Sequence, residues 1–342
     1  MVYILIFFII VLFINYKGRY ENNIYWSLSW LLIIIAGFRA PSVSLDYGEY
    51  QQLFYSIDSF SYYTIEPIFK WLCLISPNVE IFFLLYAIIA VSLKFYAFKC
   101  LSYLPFYSIL FYFVHFFLLH EMTQIRIGLA SCFILLMIKE LCDKKKTNAF
   151  FLFLLAVFSH FSSIICFMFF FYDSTRISIK KYALLIILAL LIYLLDISVV
   201  SCISSFLWGI YKTKLETYYG MMQQGMHDYI NVFNINFLLQ LVIVAFLLYL
   251  CKRKNILDQY TILLVKVYTT GIILYLCFTE IPSFAFRLSE ICFVTEILLL
   301  PRLILLFKQK RIIKIGLLIF AFLWLSLNVF ILNLVGPYNL NI

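Results

Sequence analysis

Ala149-Phe-Phe-Leu-Phe-Leu-Leu-Ala-Val-Phe-Ser-His-Phe-Ser-Ser-Ile-Ile-Cys-Phe-Met-Phe-Phe-Phe171 is long and apolar enough to cross a bilayer once as a single helix. Its flanks argue otherwise. Lys144, Lys145 and Lys146 precede it, and Arg176, Lys180 and Lys181 follow it. One crossing would put these clusters on opposite faces. It would also expose the later Lys252 to Lys254 and Lys308 to Lys314 clusters on the face that basic loops avoid. Two passes return all of them to one side. Ser159, His160, Ser162 and Ser163 lie at the midpoint, where a lipid-spanning helix has no use for them. The pattern predicts a pair of short helices turning near His160, each roughly 18 Å long at 1.5 Å per residue. The turn then sits in an outward-facing cavity within the protein, because backbone groups freed at that depth need partners. A single crossing is the alternative.

With this choice, about 20 of the Lys and Arg residues fall on one side of a membrane. The composition agrees: 65% of residues are hydrophobic and 13% charged, against roughly 25% charged in soluble domains. Apolar runs recur from end to end, so the expected fold is all-α: one polytopic membrane domain over residues 1–342, with about 10–12 transmembrane helices including the short pair. The net charge of +9 does not indicate nucleic acid, because the basic residues sit in short loops between apolar runs. Met1 to Ile14 has neither a basic leader nor a cleavage pattern and reads as a first span. The nine cysteines are scattered without CxxC or Cys/His spacing and read as small core residues, with no metal site.

Expected spans run from about Val2 to Ile14, Ile24 to Phe38, Val79 to Leu101, Leu104 to Leu119 and Thr123 to Leu141. After the short pair come about Tyr182 to Ile197, Ile235 to Cys251, Tyr260 to Phe278, Phe286 to Phe307 and Ile315 to Leu332. Lys17, Arg19, Lys94 and Lys99 are placed inside by charge. Both ends of the chain are placed outside. Two longer outer loops are expected, about 39–78 and 198–234. In the first, Pro67 to Ile75 is too short to span and should lie at the interface. In the second, Trp208 to Tyr229 is amphipathic, and Tyr218, Tyr219 and Tyr229 read as interfacial anchors or sugar-stacking rings.

Ionisable groups in or against a bilayer are expensive, about 2.5–3.5 kcal/mol each at its centre, and are functional candidates by default. Arg39, Asp46, Glu66, Arg126, His160 and Arg287 all fall in the outer half of this topology. Several guanidinium groups facing one cavity form an anion clamp, since each stays charged and offers a rigid donor fork. The plainer alternative pairs them with Asp46, Glu66 or Glu280 to hold the outer loops. A lone buried histidine such as His160 also has a plain reading, a hydrogen-bonded core residue. His115 and His120 flank what reads as an ordinary helix end. There is no HExxH, GxSxG, P-loop or GxGxxG pattern, which leaves zinc-protease, esterase and nucleotide-driven readings without support.

Gly37-Phe-Arg-Ala40 followed by Asp46-Tyr-Gly-Glu-Tyr50 resembles the first outer loop of the EpsG/Wzy-type polysaccharide polymerases. So do Glu66-Pro-Ile-Phe69, the Gln124-Ile-Arg-Ile-Gly-Leu-Ala130 helix, Phe158-Ser-His-Phe-Ser-Ser163, and Arg287 with the later Leu300-Pro301. The resemblance implies a multi-pass glycosyltransferase of the bacterial inner membrane, its active site facing the periplasm or cell exterior. It would polymerise oligosaccharide repeat units carried on undecaprenyl pyrophosphate into O-antigen, capsule or exopolysaccharide. No cofactor and no metal are expected. A flippase and a chain-length regulator are candidate partners. Asp46, Glu66 or His160 would serve as base or orienting group, while Arg39, Arg126, Arg287 and Gln124 would hold pyrophosphate and glycan. A lipid-linked oligosaccharide transporter and an O-antigen ligase are the rival readings.

Overall fold

The computed structural model describes residues 1–59, 65–204, 232–253 and 258–340, with 209, 212–213, 216–217 and 220. Tyr218, Tyr219, Tyr229 and most of the amphipathic stretch of the second outer loop lie outside the described residues. The protein is an all-α, polytopic membrane protein, and the described residues contain no β-strand. Among the described residues, four helical stretches are long and apolar enough to cross a membrane: Val79–Leu101, Ile235–Lys252, Gln259–Cys277 and Lys310–Ile331. Val2–Phe13, Lys146–Ser159 and Phe161–Phe171 are shorter apolar helices.

The chain begins with α1 (Val2–Phe13), α2 (Glu21–Gly37), α3 (Tyr47–Tyr55), α4 (Pro67–Ile75), α5 (Val79–Leu101) and α6 (Pro105–Phe111). A π-helical segment, Tyr112–Glu121, continues directly from α6, followed by α7 (Ile125–Cys142) and α8 (Lys146–Ser159). Then come a 3-10 run, Phe161–Phe171, and α9 (Ile179–Leu194), α10 (Val199–Ser204), α11 (Ile235–Arg253) and α12 (Gln259–Cys277). The last helices are α13 (Pro282–Phe293), α14 (Glu296–Leu306) and α15 (Lys310–Ser326), the last extended by a π turn at Leu327–Ile331.

Local chemistry sets many of these ends. Asn78 caps α5 by accepting from the Ile81 amide at 2.9 Å, and Asp258 accepts from Thr261 at the start of α12. Proline occupies the first position of α4, α6 and α13, where its missing N–H costs nothing. The expected single span from Phe286 to Phe307 is instead two helices, α13 and α14, parted at Val294 and Thr295. The first outer loop contains α3 as well as the short α4. The Leu104 to Leu119 span changes from α to π winding halfway along.

The chain forms two compact units, residues 1–164 with 296–342, and residues 165–295. In the first, groups assigned to one face by charge meet each other. Lys99 donates to Asn22, and Lys314 to Asn15 at 2.7 Å. At the other end, isolated antiparallel bridges join Arg39 to Leu340 and Ser44 to Val335. There, Tyr47, Tyr50, Phe69, Phe82, Phe83 and Tyr86 form an aromatic core that seats α3 and α4 on α5. In the second unit, Ser198 donates to Glu280 at 2.6 Å and Asn234 to the Tyr275 hydroxyl at 3.0 Å, all from segments assigned outside.

The deciding stretch breaks at His160. Its amide closes α8 by donating to Ala156 O at 2.9 Å, and its carbonyl opens the 3-10 run by accepting from Ser163 N at 3.0 Å. Its own backbone is extended, with φ −155° and ψ 118°. Within the second unit, Tyr172 bonds Thr270 at 2.7 Å and the Asp173 carbonyl accepts from Lys266 at 2.5 Å. The chain therefore leaves the 3-10 run towards the middle of α12, between Lys266 and Thr270.

Candidate functional site

Glu66 stands at the N-cap of α4 and is wholly buried. Arg126, on the first turn of α7, donates from Nη1 to Glu66 Oε2 at 2.8 Å. His160 Nδ1 lies 3.3 Å from Glu66 Oε1. Three of the expected site residues, 34 to 94 positions apart in the chain, thus converge on one carboxylate. The positions follow from local structure: Pro67 starts α4 and leaves Glu66 extended, and the helical break presents His160. The rings of Tyr50 and Phe69 each lie 5.5 Å from the Arg126 guanidinium carbon, cation–π contacts that hold the fork in place.

Exposure separates the three. The Arg126 side chain is 22% exposed, whereas those of Glu66 and His160 are 0% and 6%. A carboxylate so deeply placed orients its partners, and the arginine presents the charge.

Arg39, just past α2, is a second buried cation. Its Nη1 donates to the Ala36 carbonyl, while Nε and Nη2 have no partner among the described residues. Its guanidinium carbon sits 4.3 Å from the Phe83 ring centre and 5.9 Å from that of Tyr47. Burial draws its pKa down to about 10, which leaves it cationic at neutral pH. Asp46 is half-buried at the N-cap of α3, one turn from Tyr50. Gln124 precedes α7 at its N-cap, with Oε1 buried and without a hydrogen-bond partner among the described residues. Arg287 belongs to α13 in the other unit and is half-buried there. Arg39, Asp46, Glu66, Gln124, Arg126 and His160 all belong to the first unit, and of these Glu66, Arg126 and His160 meet directly.

Sequence reasoning missed a second buried polar group. Lys94 Nζ lies 2.5 Å from Glu121 Oε1, with both side chains sealed from solvent. The sequence places Lys94 with the inner basic residues; it is instead in the interior of α5, about two turns short of the helix end at Leu101. His115 Nδ1 contacts Glu296 Oε1 at 3.0 Å. His120 is fully buried, and neither ring nitrogen has a hydrogen-bond partner among the described residues. Both histidines belong to the π segment, whose amides reach back five residues: Met122 N to Phe117 O at 3.1 Å, and Gln124 N to Leu119 O at 2.9 Å. No local sequence signal marks this winding, since the two histidines lie in an otherwise apolar and aromatic run. Glu121 also borders a small cavity, with room for about one water, lined by Phe83, Tyr86, Ala87, Ala90 and Ile125.

Chemically, the site offers fixed cations against a single shared carboxylate, beside a segment assigned to the outer face. That arrangement suits a multiply charged anion. No group of three or more His, Cys, Asp or Glu among the described residues is placed to hold a metal ion. Compared with known proteins, residues 23–340 match the model of a family described as the EpsG family. No curated protein and no solved structure gave a significant match.

Proposed function

Because the chain belongs to the EpsG family, we propose that it is a membrane glycosyltransferase that lengthens a polysaccharide at the outer face of the bacterial inner membrane, using repeat units carried on undecaprenyl pyrophosphate. The products in view are O-antigen, capsule or exopolysaccharide. The supporting observation is the Glu66 carboxylate shared by Arg126 and His160, which fixes a partly open cation beside the first outer loop.

In this reading an acceptor hydroxyl attacks the anomeric carbon of the donor chain. The new glycosidic C–O bond forms as the bond to the diphosphate breaks, and the diphosphate leaves with the electron pair. Arg126 meets the charge growing on the leaving group, with Arg39 as a further cation. A preorganised donor of this kind is worth about 3 kcal/mol, or about 10²-fold in rate. Asp46, the most accessible acid of the first-unit set, takes the acceptor proton, a step worth roughly 10²–10⁴-fold. Glu66 and His160 hold Arg126 in position, and Gln124 contacts the glycan from the start of α7. No nucleotide sugar takes part. A flippase would deliver the donor, and a chain-length regulator is a candidate partner.

Alanine at Arg126 should abolish polymer in a complemented deletion strain at unchanged protein level, and Asp46→Asn should do the same. Long chains in the Arg126 variant would refute the charge-neutralising role, and normal chains in the Asp46 variant would remove it as base. The deletion strain separates the rivals in a host making lipopolysaccharide. Single repeat units on lipid A indicate a polymerase, bare lipid A with lipid-linked units outside a ligase, and units trapped inside a transporter.

A further inference from the structure

We infer that the segment Asn333–Leu340 is the positioning element of Arg39, an inference that rests on the anion-binding role proposed for that residue. Arg39 is an unusual buried cation: no carboxylate among the described residues pairs with it, and two of its three nitrogens keep their donors open. A buried charge left unpaired is costly, and the usual solution is a bidentate acid that also fixes the side chain. Here the backbone is fixed instead. Arg39 bridges Leu340, the Ala40 amide donates to Asn339 O at 2.9 Å, and the Gly336 amide donates to Val43 O at 2.9 Å. Two tyrosines complete the frame. Tyr338 donates to Ile35 O at 3.1 Å, Tyr3 donates to Gly336 O at 3.1 Å, and their rings meet edge to face at 6.1 Å.

The route of the segment is built in. Asn333 adopts φ 49°, a left-handed conformation that asparagine tolerates better than most residues, and this turns the chain after the Leu327–Ile331 π turn. Gly336 then crosses Ser42 so closely that a Cβ would run into the Ser42 carbonyl oxygen. The close approach lets the segment grip residues 39–44 through main-chain bonds alone. Arg39 is thereby held without using up the donors that an anion needs.

The test is Gly336→Val in the full chain, assayed in membranes with lipid-linked repeat units extracted from a strain that lacks this protein. The expected result is a KM for those units raised about tenfold, with kcat and membrane abundance within twofold of the parent. The decisive comparison uses an Arg39→Lys background, where Gly336→Val should add less than about twofold, because a residue acting through Arg39 cannot lose the same interaction twice. Losses that multiply in that background overturn the inference alone, as does a fall in kcat with unchanged KM. An Arg39→Lys enzyme with full activity and unchanged KM overturns the anion role of Arg39 and the inference with it. If Gly336→Val fails to accumulate, Tyr338→Phe combined with Tyr3→Phe carries the same test. That pair removes two side-chain hydrogen bonds, should raise KM about threefold, and should again be silent beside Arg39→Lys.

Discussion

Two buried ion pairs stand close together, and their surroundings give them different parts. Glu66 serves Arg126 and His160 at once, and Arg126 keeps an open edge. Lys94 and Glu121 are sealed on both sides, with no open edge for a ligand. The second pair therefore shapes the site without meeting a substrate. Lys94→Met should lower unfolding free energy by about 3–5 kcal/mol, because it strands Glu121 as an uncompensated charge. The double variant Lys94→Met, Glu121→Leu should recover nearly all of it, since matched apolar replacements for a buried pair are often neutral. Thermal unfolding of the purified protein in detergent measures both, and equal losses in the single and double variants would show the pair to be stabilising in itself. Glu66, Arg126 and His160 were legible one by one, as expensive residues in an apolar chain. Their partnership was not, because it joins α4, α7 and the end of α8 across long separations. Lys94 was misplaced because the charge rule sees a lysine near a span's end and cannot see a carboxylate packed beside it.

Among the elements, α4 and α5 begin and end where the apolar pattern and the helix caps predict. Those signals are local: a proline at a first turn or an asparagine side chain on an amide needs no distant neighbour. Departures arise where packing overrides the local pattern. The run from Leu104 to Leu119 reads as α-helix, yet Tyr112–Glu121 winds as π, which lets His115 reach Glu296 and places His120 and Glu121 against Gly128. A Cβ at Gly128 would meet Glu121 Oε1 at 3.1 Å and the His120 backbone carbon at 3.3 Å. The backbone cannot yield as a flexible side chain would. Gly128→Val should therefore cost about 1–3 kcal/mol by overpacking and push the π segment off α7. A melting temperature equal to the parent's would show that the two elements do not need this approach.

For the molecule as a whole, sidedness links the fold to the proposed reaction. Residues 39–44 and 333–340 meet at one end of the first unit, and the Lys99–Asn22 and Lys314–Asn15 contacts mark segments that charge assigns to the other. In a background lacking the exposed Cys100 and Cys202, Ser42→Cys should react with an impermeant maleimide in intact cells. Lys145→Cys should react only after the inner membrane is opened. The reverse pattern would invert the topology and remove the outer-face reaction. The amino-acid sequence alone determined the all-α membrane class, most helix limits, the break at His160 and the family resemblance, because hydropathy, caps and clustered charge act over one helix at a time. Tertiary structure decided which charges pair, that Arg39 keeps its donors, and where helical winding gives way to π. Those outcomes depend on packing between segments far apart in the chain, where the cost of a buried charge is settled by whichever neighbour arrives.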